Sequence, residues 1–255
     1  MFEADIQRAA SAVRSSRYAV ALTGAGISTP SGIPDFRSAE SGLWERANPF
    51  EVATFSGFTR NPAAFYDWLR PLARDVLQAQ PNPAHCALAQ LEEMGWLKAL
   101  ITQNIDMLHT RAGSQTVYEV HGHIREVVCA LCGEAYNARP YIEALLGDEA
   151  VVVPLCPVCG GPLKPAVVLF GEALPARAIE AAYEAAERCD LMIVAGASLR
   201  VAPVSDLPRV AAWHGAKLVI INYEPTYIDR RADVVIHADV AEVLPGIVAA
   251  LAKNE

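Results

Sequence analysis

Four of the six cysteines in this 255-residue chain fall into two pairs, Cys129-Ala-Leu-Cys132 and Cys156-Pro-Val-Cys159. That spacing is the spacing of a zinc ribbon. Two short knuckles, followed closely by Gly133 and by Gly160, turn backbone amides toward sulfur, and four thiolates complete a tetrahedral shell. A closed shell leaves no position open for water, so the metal is expected to be structural. Disulfides fit the pairs poorly. The chain opens on Met1-Phe2-Glu3-Ala4-Asp5, without the basic and apolar regions of an export signal, and the expectation is a cytoplasmic protein whose thiols stay reduced. Cys86 and Cys189 stand alone within helical patterns and are expected to be ordinary buried residues.

A second set of residues is suited to a nucleotide. Gly24-Ala25-Gly26-Ile27-Ser28-Thr29 follows the apolar run Tyr18 to Thr23, as a phosphate loop follows a strand, so that bare amides can approach a pyrophosphate. Thr29 stands where a third glycine is usual, and no acidic residue closes a second strand at the spacing that an ordinary dehydrogenase uses. Hydride transfer is therefore disfavoured. The loop runs into Asp35-Phe36-Arg37, an aromatic ring between opposite charges, with Pro30 and Pro34 opposing an immediate regular helix. The plain alternative for this segment is a surface loop.

Three further clusters end apolar runs. Thr102-Gln103-Asn104-Ile105-Asp106 follows the run 97–101, where doubly wound folds bind ligands, although Asn104 or Asp106 alone also reads as a helix N-cap. Glu119-Val120-His121-Gly122 puts a histidine at a strand end, the position of a general base. The other five histidines, His85, His109, His123, His214 and His237, read as structural. Gly196-Ala197-Ser198 ends the run 191–195, and Asn222 ends the run 218–221; both are placed to meet phosphate and ribose.

The elements that must hold these clusters are legible in the hydrophobic periodicity. Apolar runs at 97–102, 191–195, 218–221 and 234–236 alternate with amphipathic helices, notably Ala176 to Arg188 and Val240 to Ala252. The alternation predicts an α/β fold with a Rossmann-type, doubly wound parallel sheet. Two insertions interrupt it. Residues 34–93 read as a helical module, with Asn61-Pro62 as N-cap and first helical residue and with breaks at Pro71, Pro81 and Pro83, and residues 125–164 carry the zinc ribbon. The expected division is thus 1–33, 94–124 and 165–255 for the Rossmann-type domain, with the two insertions forming a smaller domain and a ligand cleft between them. Hydrophobic residues make up 53% of the chain and charged residues 20%, which excludes disorder. A net charge of −8 opposes a general nucleic-acid binder, and no apolar run approaches a membrane span, so neither nucleic acid nor membrane is an expected partner.

Taken together, these residues resemble one family, the sirtuins, NAD-dependent protein-lysine deacylases. Gly24 to Arg37, Thr102 to Asp106, His121-Gly122, the paired cysteine knuckles, Phe170-Gly171-Glu172, Gly196 to Ser198 and Asn222 appear in the family's order along nearly the whole chain. Ala197 departs from the usual threonine and Leu169 from the common phenylalanine. The resemblance implies NAD as a co-substrate and acyl-lysine proteins as partners. The acyl amide oxygen would attack the nicotinamide ribose, expelling nicotinamide and leaving an alkylamidate. His121 would then act as the base that frees the 2′-oxygen, giving free lysine and 2′-O-acyl-ADP-ribose. Asn104 would orient the ribose and a water, Asp106 the nicotinamide carboxamide, and Phe36 would cover the ribose. The same resemblance places Gly24, Ala25, Gly26, Ser28, Asp35, Arg37, Gln103 and Ile105 around the nucleotide. Gly196, Ala197, Ser198, Asn222 and Val240 fall toward phosphate and adenosine. The peptide is expected as an added strand between Phe170-Gly171-Glu172 and Val201-Ala202-Pro203.

Within the family, removal of succinyl or malonyl groups goes with a tyrosine and an arginine three residues apart. Here Tyr66 matches but the third residue on is Leu69, and Arg70, one further, is expected to be turned off the helical face by Pro71. The expectation is a preference for acetyl or other apolar acyl groups, with a desuccinylase or demalonylase as the alternative. An ADP-ribosyl transferase acting on protein and a non-catalytic NAD-sensing adaptor are the rivals from other classes.

Overall fold

Alternation of short, wholly apolar runs with one-sided helices is a pattern that only a sheet covered on both faces can bury. In the computed structural model, which describes residues 2–35, 52–147 and 153–253, the elements follow in chain order. Helix α1 (Glu3–Ser15) leads into β1 (Ala19–Thr23), and within the first insertion come α2 (Phe55–Arg60), α3 (Pro62–Gln78) and α4 (Pro83–Glu93). Then follow β2 (Leu97–Thr102), α5 (Leu108–Ala112), β3 (Val117–Glu119), β4 (Gly122–Cys129), β5 (Ala135–Asn137), α6 (Arg139–Leu146) and β6 (Leu163–Val167). The chain closes with α7 (Ala176–Arg188), β7 (Leu191–Ala195), α8 (Leu207–Trp213), β8 (Lys217–Ile221), β9 (Val234–Ile236) and α9 (Val240–Ala252).

Six strands form one parallel sheet in the order β3-β2-β1-β7-β8-β9, the doubly wound order of a Rossmann fold. Period two sorts the side chains. Ala19 and Ala21 of β1 and Leu191, Ile193 and Ala195 of β7 point into a core with α1, α4 and α9. Val20, Leu22, Met192 and Val194 point the other way, against α7 and α8.

The smaller unit is a three-stranded antiparallel sheet, β5-β4-β6, with α2, α3 and α6 beside it. Its edges differ from the expected division. The boundaries at 124/125 and 164/165 fall inside β4 and β6, which pair with one another. Helix α4, expected in the helical module, buries Ala84, Ala87, Leu88 and Leu91 in the core of the large sheet instead. Asn61 caps α3 as expected, accepting from the Ala64 amide at 3.2 Å. Pro71 does not break that helix. Phe65, Tyr66, Leu72 and Val76 are buried along α3, and packing of that face outweighs the one missing backbone bond. Arg70 therefore keeps its helical place one turn beyond Tyr66.

Candidate active site and metal centre

Register brings the chemistry-bearing clusters into one row. Thr23 lies opposite Thr102 and Ala195, Thr102 opposite Glu119, Ala195 opposite Ile221, and Ile221 opposite Ile236. The residues that follow this row are Gly24, Gln103, Val120 with His121, Gly196 and Asn222. Clusters far apart in sequence thus leave the sheet side by side at its carboxyl edge. Between β1 and β7 the winding reverses, the switch point at which doubly wound sheets bind ligands.

The two loops at the switch point interlock. The Gly26 amide donates to the Gly196 carbonyl at 2.9 Å. Gly196 adopts φ +61°, and a Cβ there would lie 2.3 Å from the Ile27 nitrogen, so no other residue fits without moving the loop. Ala197 is buried at the seam, while Ser198 is exposed and Ala25 and Gly26 are half-buried on top. Bare amides and a hydroxyl at such an edge suit a pyrophosphate and a ribose.

Beneath the β1 loop runs a directed hydrogen-bond network. Ser28 Oγ donates to Asp106 Oδ2 at 2.6 Å, and the Leu108 amide donates to Asp106 Oδ1 at 2.9 Å. A hydroxyl has one proton, so Ser28 must accept from Asn104 Nδ2 at 3.0 Å; the same amide group donates to the Gly24 carbonyl at 3.1 Å. Burial pushes the Asp106 carboxyl up, while the bonds from Ser28 and Leu108 oppose the shift. Behind it lie two histidines in contact, His85 and His109, with ring centroids 4.8 Å apart and the rings tilted by 59°. His85 faces Ser28 at 3.5 Å and His109 faces Thr23 Oγ1 at 2.9 Å. Burial pushes His85 down to about 4 and holds His109 well below the usual imidazole value, so both are neutral at physiological pH.

His121 stands between β3 and β4, half-buried, with Nδ1 3.0 Å from the Gln103 carbonyl. A carbonyl only accepts, so Nδ1 carries the proton and Nε2 keeps its lone pair. Burial lowers the His121 pKa, and the Gln103 bond offsets part of that shift. Gly122 follows with φ +79°, where a Cβ would lie 2.1 Å from the Ala166 oxygen. The close pass of β6 thereby fixes the backbone beside the histidine.

In the small sheet the four knuckle sulfurs all lie within 4.8 Å of one another. Cys129 and Cys159 are 3.5 Å apart and Cys132 and Cys156 3.7 Å, too far for disulfides and close to the ~3.8 Å edge of a tetrahedron with Zn–S bonds of about 2.3 Å. Amides of Leu131 and Cys132 point at the Cys129 sulfur, and the Tyr136 hydroxyl, 3.2 Å from Cys156, holds that thiol down to about 6. The donor set fits a closed structural zinc site.

Other expected residues are placed as follows. Phe36 and Arg37 lie outside the described residues. Gln103 and Ile105 flank Asn104, half-buried; Asp35 ends the described part of the first loop, also half-buried. Val240 is the first residue of α9, but it is 3% exposed and belongs to the core of the large sheet. Asn222 Nδ2 donates to the Glu224 carbonyl at 2.7 Å. On the small-domain side, Phe170 is 37% exposed and Gly171 is exposed. Glu172 is half-buried, as is Val201; Ala202 and Pro203 are exposed. Leu69 is half-buried between two apolar clusters. Tyr66 is only 3% exposed, and its hydroxyl donates to the Leu163 carbonyl at 2.7 Å.

Cys86 is exposed, contrary to expectation, because α4 turns its neighbours Ala84, His85, Ala87 and Leu88 inward. Cys189 is buried as expected, and burial pushes its thiol up to about 12. His85 and His109 read as ordinary core histidines from the sequence, yet both lie against the polar network. The one local signal for His85 was the Asn82-Pro83 start of α4, where His85 Nδ1 completes a capping box.

Comparison with known proteins agrees with this geometry. The profile of the Sir2 family matches residues 24–203. NAD-dependent protein deacylase 2 of Archaeoglobus fulgidus is 49% identical over 247 residues, 96% of each chain. NAD-dependent protein deacetylase 1 of Geobacillus kaustophilus is 47% identical over 230 residues, 90% of this chain and 91% of the relative. Among solved structures, one from a study of the mechanism and regulation of Sir2 enzymes superposes with TM-score 0.92 at 47% identity, covering 99% of this chain and 100% of the other. A Sir2 complex with a p53 peptide and NAD+ gives TM-score 0.87 at 41% identity over 96% and 97%.

Proposed function

The chain belongs to the Sir2 family, and from that premise we propose that the edge row described above is the seat of an NAD-dependent protein-lysine deacetylase. The observation that carries the residue assignment is the register of Thr23, Thr102, Glu119 and Ala195, which sets the glycine loop, Asn104, Asp106 and His121 around one switch point. NAD, when bound, supplies an anomeric carbon that the acyl-lysine amide oxygen attacks as nicotinamide departs.

This chain's residues bind, orient and move protons. The Gly24-Ala25-Gly26 loop, with Ser198 opposite, lines the phosphate site, while the Gly26 and Gly196 amides are spent on the Gly196 and Ile221 carbonyls that lock the seam. Asn104 and Asp106, fixed to one another through Ser28, orient the ribose and the nicotinamide amide. His121 accepts a ribose hydroxyl proton at Nε2, since Nδ1 is committed to Gln103. The zinc shell, having no open position, stays outside the chemistry and holds the small sheet in place. A reducing compartment keeps its four thiolates available, and this supports a cytoplasmic location.

Acyl preference follows from Tyr66. Its hydroxyl is taken up by the Leu163 carbonyl within an apolar cluster, so a distal carboxylate finds no donor there. We propose that acetyl-lysine is preferred over succinyl-lysine by at least about tenfold in kcat/KM, roughly 1.4 kcal/mol. Matched acetyl and succinyl peptides assayed for NAD-dependent turnover test this. Equal or reversed efficiencies would show that Arg70, still helical just before Pro71, or another residue reaches the carboxylate.

A further inference from the structure

One ammonium outside the nucleotide-facing loops is buried where burial needs a reason. Lys164 on β6 is 7% exposed, with Nζ 3.0 Å from Glu172 Oε2 and donating to the Val167 carbonyl at 2.8 Å. Lysine is seldom buried unless it is paired. The same Glu172 oxygen accepts from the Leu169 amide at 2.8 Å, and the Glu172 amide donates to the Leu169 carbonyl at 3.0 Å. The ammonium thus joins both ends of the segment 167–172.

That segment is also tied from outside. The Val168 amide donates to the His121 carbonyl at 2.9 Å, and Phe170 exchanges backbone bonds of 3.0 Å with Ala53 and Phe55. What it turns outward is Phe170 and Gly171, the edge assigned above to the peptide. We propose that Lys164 is a positioning residue for the protein substrate: its ion pair with Glu172 holds Phe170-Gly171-Glu172 in the shape with which an extended acyl-lysine peptide pairs. Buried beneath the segment, Lys164 acts through it. Its loss should therefore weaken peptide binding while leaving NAD handling and the chemical step nearly intact.

The inference rests on the proposed function, so wild-type enzyme comes first: absence of NAD-dependent turnover of an acetyl-lysine peptide would remove the function itself. With turnover established, Lys164→Met should raise the peptide KM at least about tenfold, with kcat and the NAD KM within about threefold, and Lys164→Arg should restore the peptide KM. Anisotropy of a fluorescent acetyl-lysine peptide should show the same loss. An unchanged peptide KM, a parallel fall in kcat and NAD affinity, or no rescue by arginine would overturn the proposal. Should Lys164→Met fail to fold, Glu172→Gln removes the charge while keeping an oxygen for the Leu169 amide. A peptide KM unchanged in that variant would overturn the proposal equally.

Discussion

At the scale of residues, the assignment turns on where protons sit. Because Nδ1 of His121 donates to Gln103, only Nε2 can take a proton from substrate. His121→Ala should lower kcat by at least about 10²-fold, the usual scale of general-base removal, with NAD affinity nearly unchanged. Steady-state kinetics with binding by calorimetry checks both halves. Burial lowers the His121 pKa from 6.5, so the acid limb of kcat should lie below pH 6.5 and vanish in the alanine variant. The buried histidines affect stability with the same sign. His85 is pushed from 6.5 to about 4, so the unfolded chain takes up a proton that the folded chain refuses as pH falls through that window. Stability should drop by about 3 kcal/mol between pH 6.5 and 4 from this residue, at 1.36 kcal/mol per unit. Asp106, with its carboxyl raised, works in the opposite sense. Denaturant titrations of wild type and His85→Gln across that range should differ; parallel curves would contradict the account. The candidate base was legible because it follows a strand beside a glycine. The His85–His109 pair was not, since nothing local reports which helix face meets the β1 loop.

Among the elements, the strands and caps were legible and the packing of helices was not. Wholly apolar five-residue runs such as Leu191–Ala195 have no home except a covered sheet, and Asn61-Pro62 is a start signal that stands by itself. Proline at 71 is ambiguous locally. It ends a helix unless a buried face sustains it, and the apolar face of α3 does so here. The same blindness moved α4 into the wrong unit and hid the commitment of the Tyr66 hydroxyl to β6. The knuckles are the opposite case, because ligand spacing states the geometry outright. Cys156→Ala should lose the metal, lower the melting temperature and abolish activity together, since the shell ties β4 to the strand-poor segment before β6. Metal content measured beside thermal melting checks this. A variant that keeps full stability and activity without zinc would contradict it.

For the whole molecule, the sheet order is the device that turns scattered motifs into a site. Placing β1 beside β7 puts Gly24-Ala25-Gly26 against Gly196-Ala197-Ser198, although the two segments are remote in sequence. Gly196→Ala adds a Cβ 2.3 Å from the Ile27 nitrogen in a left-handed backbone region. It should cost about 1–3 kcal/mol of stability and weaken NAD binding far more than peptide binding, as read by denaturant unfolding and calorimetry.

The central claim is that this edge row consumes NAD to remove an acyl group from lysine. Mass spectrometry of an acetyl-lysine peptide and the nucleotide pool after incubation with the enzyme and NAD tests it most directly. The account predicts a peptide lighter by one acetyl group, with equimolar nicotinamide and O-acetyl-ADP-ribose, none of it formed without NAD and at least about 10²-fold less per unit time by His121→Ala. A peptide heavier by an ADP-ribosyl group, or an unchanged peptide beside intact NAD, would contradict it.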